Sequence, residues 1–189
     1  MSTNIILCGV GGQGTILASK LIANAAMERG IPVKTAETIG MAQRGGSVFS
    51  HVRLGEGVAS PLMARGMADL IIAFEPAEAV RQLPFLSPDG CVVVSNRPVV
   101  PVSAVTGGPA YDFDEIMAYL RKQVGHLIEV DADQAAADLG SAKCLNVVLL
   151  GAAARSGALG LSAEDISGAV GRLVPARFQD LNARALMYA

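Results

Sequence analysis

Three glycines near the start of the chain have the spacing of a nucleotide-binding turn. Gly9, Gly11 and Gly14 follow the apolar run at 4–8 and precede a segment of helical period, which is the context that the G-x-G-x-x-G motif requires. Such a turn lets the backbone approach a phosphate, and the free N–H groups at the helix start favour negative charge. Glu37 lies near the position of a ribose-binding acid, about 20 residues further on. Spacing alone leaves two interpretations open: NAD binding, or a turn that serves packing without a ligand.

Side chains in and beside this turn favour a polar ligand other than a dinucleotide. Gln13 and Thr15 add hydrogen-bonding groups to the loop, where a polar ligand or a partner loop could contact them. A second polar loop, IGMAQRGGS at 39–47, contains Arg44 among small residues. An arginine of this kind commonly binds a phosphate or carboxylate through two hydrogen bonds. A surface ion pair between Arg44 and Glu37 or another acid is an open alternative.

The residue types that usually perform acid, base or metal chemistry are scattered. His51 and His126 stand alone, and no group of His, Cys and carboxylates has metal-ligand spacing. Cys8, Cys91 and Cys144 are far apart among apolar neighbours, so we expect them to be buried, with neither a disulfide framework nor an iron–sulfur site. The sequence therefore predicts no metal site and no catalytic residue on this chain.

The composition indicates one compact domain with an apolar surface. The 189 residues, 51% of them hydrophobic and 17% charged, are predicted to form a single domain over 1–189. No stretch approaches the roughly 20 apolar residues of a membrane span, and the start lacks the basic segment of a signal peptide, so we expect a cytoplasmic protein that does not enter membranes. The net charge of −2 argues against nucleic-acid binding. A chain this apolar is expected to pack against a partner protein.

Short Val- and Ile-rich runs alternate with segments of helical period, which predicts an α/β fold. We expect a Rossmann-like three-layer fold with a mostly parallel sheet and helices on both faces. Strands are predicted at about 4–8, 32–36, 47–54, 68–74, 91–95 and 127–130, and helices at about 14–29, 76–83, 114–123, 133–139, 144–154, 162–173 and 176–187. We expect Gly30 to end the first helix, Asp114 to cap the helix that it begins, and Ser162 with Asp165 to form a capping box. We further predict a hairpin turn at 55–57 into a strand at 58–59, and a turn at 87–90.

Two sequence stretches together carry a family resemblance. GVGGQGT at 9–15 and IGMAQRGGSVFSHVR at 39–53 resemble the gamma-subunit family of 2-oxoacid:ferredoxin oxidoreductases. FEPAEA at 74–79, followed by Arg81, and NVVLLG at 146–151 are most similar to the members that act on aryl-2-oxoacids such as indolepyruvate. The resemblance spans about the whole chain, and the pairing of the two long motifs is more specific than either motif.

The resemblance implies a subunit that works inside a larger complex. Such a complex oxidatively decarboxylates an aryl-2-oxoacid to an acyl-coenzyme A and CO2, and passes electrons to ferredoxin. Because this chain has neither an iron–sulfur ligand set nor an acidic Mg²⁺-diphosphate motif, we expect it to bind no cofactor alone and to be inactive alone. Thiamine diphosphate, Mg²⁺ and [4Fe–4S] clusters are expected on a larger partner subunit, with coenzyme A as cosubstrate.

The resemblance also implies which residues face the active site of the complex. In this family the corresponding domain is associated with shaping the active-site region and with coenzyme A access, and the two polar loops are its predicted contact surface, together with the end of the strand at 91–95. The candidate binding residues are Gly9, Gly11, Gly12, Gln13, Gly14, Thr15, Gln43, Arg44, Gly45, Gly46, Ser47, Ser95 and Asn96. Asn146 is interpreted as a buried hydrogen-bonding residue. Two alternatives stay open: a stand-alone NAD-binding oxidoreductase, and a purely structural docking module.

Overall fold

The computed structural model describes residues 2–40, 46–108 and 110–188, which form a six-stranded sheet with helices on both faces. The strands are β1 (Thr3–Val10), β2 (Val33–Ile39), β3 (Ser47–Leu54), β4 (Ala68–Ala73), β5 (Leu86–Ser95) and β6 (His126–Val130), and the helices are α1 (Thr15–Glu28), α2 (Pro76–Gln82), α3 (Val102–Val105), α4 (Phe113–Gln123), α5 (Ala132–Leu139), α6 (Leu145–Arg155), α7 (Ala163–Leu173) and α8 (Ala176–Leu186). None of these helices is long and apolar enough to cross a membrane.

The strand order is β2-β3-β1-β4-β5-β6, and β3 alone among these six strands runs against the others. The predicted mostly parallel sheet is therefore confirmed. The antiparallel strand β3 pairs with the whole of β1, from Thr3 opposite Leu54 to Val10 opposite Ser47, and separates β1 from β2. Because β1 and β4 are buried on both faces, they are almost continuously apolar, as central parallel strands are.

Two apolar cores lie on opposite faces of the sheet, which confirms the three-layer prediction. On one face α1, α5, α6, α7 and α8 pack on alternate strand residues such as Ile5, Leu7 and Val93. On the other face α2 and α4 cover Ile6 and Val92, among others. The alternation follows from the two-residue period of a strand, which sends neighbouring side chains to opposite faces.

The helix ends follow the local chemistry of the sequence. Gly30 has a positive φ directly after α1 and ends it, as predicted. The predicted capping box at Ser162 and Asp165 is present at the start of α7. The prediction that Asp114 caps α4 is wrong, because the Asp112 carboxylate accepts the Glu115 N–H and starts the helix two residues earlier.

The strand predicted at 58–59 and the turn predicted at 87–90 are also wrong, although residues 55–57 do form a turn. Residues 58–59 form no strand, because both neighbours of β3 are already β1 and β2, so no strand position is left beside it for a hairpin partner. Residues 87–90 belong to β5, whose pairing with β4 shifts register between Ala68 and Leu70. This irregularity absorbs the Pro88-Asp89-Gly90 sequence, since a proline is tolerated in a strand where the ladder is interrupted.

The sheet edge formed by the ends of β1, β2, β4, β5 and β6 and by the start of β3 is called the carboxyl edge below. The glycine turn after β1, residues 46–47, and Ser95 with Asn96 all lie along it. Ligands of open α/β sheets generally bind outside the carboxyl ends of the strands. This edge therefore carries the candidate site.

Candidate functional site

The glycine turn is closed from within by Gln13. Its Oε1 accepts the Val10 N–H at 2.8 Å, and its Nε2 donates to the Phe74 carbonyl at 2.9 Å. A Cβ on Gly9 would lie 2.6 Å from the Gln13 Oε1 and 2.9 Å from the Phe74 Cβ, so only glycine fits there. The Gln13 side chain, predicted to face a ligand or partner, thus joins the end of β1 to the end of β4.

The start of α1 keeps unpaired polar groups. Gly14, the residue before the helix, has φ 83°, and a Cβ added to it would lie 2.8 Å from the Asn146 Nδ2. No side chain in the described part of the chain caps this helix, and its first turn contains no acidic residue. The Thr15 hydroxyl is buried and has no hydrogen-bond partner among the described residues. A helix start with these properties favours an anionic group. Asn146 is buried and bonded to the Val147 N–H, as predicted.

The polar loop at 39–47 contacts the glycine turn through a backbone hydrogen bond. The Gly11 N–H donates to the Gly46 carbonyl at 2.9 Å, and the Gly40 N–H donates to the Ser47 carbonyl at 2.8 Å. The Ser47 hydroxyl donates to the Glu78 carboxylate at 2.6 Å. Gly46 and Ser47 therefore lie next to the glycine turn, as predicted. Gln43, Arg44 and Gly45 lie outside the described residues.

Ser95 and Asn96 reach the carboxyl edge as predicted, but their side chains make local hydrogen bonds. The buried Ser95 hydroxyl accepts the Arg97 N–H at 3.2 Å. The Asn96 Oδ1 accepts the Ala132 N–H at 3.0 Å, at the start of α5. These contacts position the segments that follow β5 and β6. Whether Ser95 or Asn96 binds a ligand stays a prediction.

Two buried glutamates at the start of α2 were missed as site residues by sequence reasoning. Glu75 and Glu78 are each 1% exposed. Glu75 caps α2 by accepting the Glu78 N–H at 2.9 Å, and it also accepts hydrogen bonds from the Tyr111 hydroxyl and the Val99 N–H. The signal in the sequence was an acid directly after a buried strand, with a second acid three residues later, as in a capping box.

The buried carboxylates of Glu75 and Glu78 influence the pKa of neighbouring side chains at this edge. Burial raises the pKa of the Cys8 thiol well above its ordinary value, and the Glu78 and Glu75 carboxylates raise it further. Burial and the hydrogen bond to Glu75 likewise raise the pKa of Tyr111. Cys8 therefore stays protonated and is a poor nucleophile. All three cysteines are free and buried, as predicted.

The geometry around the glycine turn differs from that of a dinucleotide site. Because β3 lies between β1 and β2, Glu37 on β2 is two strand spacings from β1, roughly 10 Å across the sheet. Its carboxylate also accepts a hydrogen bond from Ser19 on α1 at 3.2 Å. The Gly46 carbonyl occupies the Gly11 N–H, one of the donors that a pyrophosphate would use. These observations disfavour the NAD alternative.

An open cleft of about 400 Å³ remains beside the turn. It is lined by Gly11, Gly12, Gly14, Thr15, Ile39 and Val48, among others. Its walls are mostly apolar, and the Ile39 side chain is 59% exposed. A cleft of this shape can accept a chain segment of a partner, or part of a ligand whose anionic group reaches the start of α1.

Comparison with known proteins assigns the family. The model of the pyruvate ferredoxin/flavodoxin oxidoreductase family matches residues 4–189, so the chain belongs to this family.

Indolepyruvate oxidoreductase subunit IorB of Archaeoglobus fulgidus is 42% identical to it, over 98% of this chain and 92% of that protein. The common gamma subunit of the pyruvate/ketoisovalerate oxidoreductases of Thermococcus kodakarensis is 24% identical, over 94% of this chain and 89% of that protein. The sequence-based resemblance is thus confirmed. Pyruvate oxidoreductase subunit PORC of Thermotoga maritima shares the fold, with a TM-score of 0.70 at 24% identity, over 98% of this chain and 93% of that chain.

Proposed function

We propose that this chain is the non-redox subunit of a cytoplasmic, thiamine-diphosphate-dependent 2-oxoacid:ferredoxin oxidoreductase. Its substrate is an aryl-2-oxoacid such as indolepyruvate, which the complex converts to acyl-coenzyme A and CO2. The observation that carries this proposal is the 42% identity to an indolepyruvate oxidoreductase subunit over nearly the full length of both chains. The geometry of the carboxyl edge supports this edge as the surface that the chain offers to such a complex.

The redox groups belong on a partner subunit in this proposal. The residues present do not fit an iron–sulfur cluster, since Cys8, Cys91 and Cys144 lie buried on β1, β5 and before α6. Within residues 2–40, 46–108 and 110–188, no three His, Cys, Asp or Glu side chains are grouped so that they could hold a metal ion. Thiamine diphosphate, when bound to the partner, supplies the carbon nucleophile and the electron sink for decarboxylation. This chain alone is inactive.

The carboxyl edge is the surface that meets the partner and coenzyme A. The start of α1 suits a phosphate of coenzyme A or a partner carbonyl or carboxylate, since its N–H groups are uncapped and the Thr15 hydroxyl is unpaired as far as the described residues go. Exposed apolar residues flank this surface: Ile39 at the end of β2, and Val100, Val102 and Val105 after β5. Exposed apolar groups of this kind favour protein contact. Arg44 is the cation proposed to bind a coenzyme A phosphate or the substrate carboxylate.

Gly11→Ala tests whether a partner or ligand approaches the turn. Gly11 has a φ outside the left-handed region, and an added Cβ would come no closer than 3.9 Å to any residue that the structure describes, at the Gly46 carbonyl. The methyl group should therefore leave the isolated chain unchanged, while it obstructs a group that contacts this backbone. We expect a rise of about tenfold or more in the KM for coenzyme A, or an equal loss of affinity for the partner subunit, in the reconstituted complex.

Gly171→Ala on α7 is the matched control. An added Cβ at Gly171 would meet nothing among the described residues, and Gly171 is exposed on α7, away from the carboxyl edge. It should leave coenzyme A kinetics and assembly unchanged. Equal behaviour of the two variants would remove the glycine turn from the proposed contact surface. Absence of coenzyme-A-dependent 2-oxoacid oxidation in the wild-type complex would refute the function itself.

A further inference from the structure

At the start of β3, the Ser47 side chain makes a hydrogen bond to a buried carboxylate. Ser47, the first residue of β3, lies opposite Val10 on β1, and its carbonyl accepts the Gly40 N–H. Its hydroxyl donates to the Glu78 carboxylate at 2.6 Å, a length typical of a charge-assisted O–H···O⁻ hydrogen bond. The neighbouring Gly46 carbonyl accepts the Gly11 N–H. The Glu78 carboxylate thus contacts the residue that follows the Gly46 carbonyl, where the two polar loops are hydrogen-bonded.

Glu78 is itself held rigidly. Its side chain is 2% exposed, lies in the first turn of α2, and pairs with the Arg81 guanidinium one turn further along. The N–H of Glu78 is capped by Glu75, which is bonded in turn to the Tyr111 hydroxyl. The contact to Ser47 therefore connects the start of β3 to a helix start that several other segments support.

Fold stability alone does not explain why a carboxylate occupies position 78. A buried charge carries a desolvation cost, and replacing a buried ionic contact by an apolar side chain of similar size is often neutral or stabilising. An apolar residue at position 78 would fill the same space against β1 and β4, which α2 already contacts. What an apolar residue cannot supply is an acceptor for Ser47. The benefit of Glu78 is thus geometric.

We propose that Glu78 is a positioning residue, which acts through Ser47 to fix the Gly46–Gly11 junction and thereby the surface that this chain presents to coenzyme A and the partner subunit. The inference rests on the proposed function for its consequence in catalysis. It makes a second claim, about the isolated full chain, that is independent of that function. Neither Glu78 nor Ser47 is a catalytic residue in this account.

Amide hydrogen exchange of the full chain measures the junction directly. Glu78→Met and Ser47→Ala each remove the contact from one side, and both should accelerate exchange at the Gly11 and Gly40 amides by about 10- to 100-fold. Exchange at Val93, deep in the sheet, should stay unchanged. The double variant should show no more than the larger single effect, because both changes remove one interaction. Glu78→Gln, which keeps an acceptor oxygen, should retain most of the protection.

Glu129→Met is the matched control. The Glu129 carboxylate is also hydrogen-bonded, to Arg121 at 2.6 and 2.7 Å, but it lies on the edge strand β6. Its removal should leave the Gly11 and Gly40 amides unchanged. Wild-type exchange at Gly11 and Gly40 in Glu78→Met and Ser47→Ala, or fully additive effects in the double variant, would overturn the proposal.

Kinetics of the reconstituted complex test the catalytic consequence. Ser47→Ala and Glu78→Met should lower kcat/KM for coenzyme A by similar, non-additive factors of about tenfold, while the amount of assembled complex stays constant. A purely structural role would instead reduce the amount of complex without changing its kinetic constants. Faster exchange with unchanged kinetic constants would refute the link to catalysis. An inactive wild-type complex would refute the proposed function and leave the exchange result standing.

Discussion

Gln13→Ala tests whether the glycine turn is held from within. The wild-type side chain pairs two backbone groups, the Val10 N–H and the Phe74 carbonyl, at 2.8 and 2.9 Å. Val10 is 7% exposed and Phe74 is fully buried, so water can replace these hydrogen bonds only in part. We therefore expect an intermediate loss of stability.

The magnitude follows from the two hydrogen bonds. An unpaired buried backbone group costs about 1–3 kcal/mol. Gln13 itself is half-buried, so each group falls near the lower end of that range. We expect Gln13→Ala to lower the free energy of unfolding by about 2 kcal/mol, which corresponds to a Tm decrease of roughly 4–8 °C for a chain of this size.

Urea unfolding of the full chain, followed by circular dichroism, provides the measurement. Gln134→Ala is the control, because Gln134 makes an exposed hydrogen bond to Asp138 within α5 at 2.9 Å, worth about 0.2–0.5 kcal/mol. If Gln13→Ala lost no more stability than Gln134→Ala, Gln13 would not hold the turn. The side chain would then be free to contact a ligand, as its sequence position suggested.

Two further predictions concern the rest of the fold. Burial, and to a lesser extent Arg53, lower the pKa of His51 below its usual 6.5, so the unfolded chain binds the proton first and the free energy of unfolding should fall as the pH drops below about 6.5. Urea titrations from pH 8 to 5 should show this fall in the wild type and in the exposed-site control His126→Gln, and a smaller fall in His51→Gln. Equal pH dependence in all three proteins would contradict the prediction. Ser162→Ala removes the side-chain hydrogen bond from Ser162 in the capping box of α7 and should lower the free energy of unfolding by about 1 kcal/mol. The midpoint of urea unfolding measures this loss. An unchanged midpoint would show that the cap contributes nothing to stability.

The predictable part of the fold rested on local patterns. Apolar runs and helical periods located the six strands and most helices, because burial on one or both faces of an element leaves a direct trace in the sequence. The insertion of β3 between β1 and β2 left no such trace. Strand neighbours are determined by long-range packing, and β3, paired with β1 and β2, buries Val52 and Leu54 in the core beside α1.

The candidate site was likewise predictable only in part. Glycine spacing correctly located the turn, and the family resemblance placed Gly46 and Ser47 on the same surface as the turn. The direction of polar side chains was not predictable, since Gln13 offers the same donors and acceptors to a ligand as to the backbone of Val10 and Phe74. Glu78 was missed because its importance lies in a contact with Ser47, 31 positions earlier in the chain.

The most direct test of the central claim is purification of the tagged chain from its native cell under anaerobic conditions. The eluate would be assayed for visible absorbance and for dye reduction driven by an aryl-2-oxoacid, with and without coenzyme A. We predict a brown complex with a larger subunit, whose activity requires coenzyme A. A colourless chain that elutes alone and binds NADH would contradict the account.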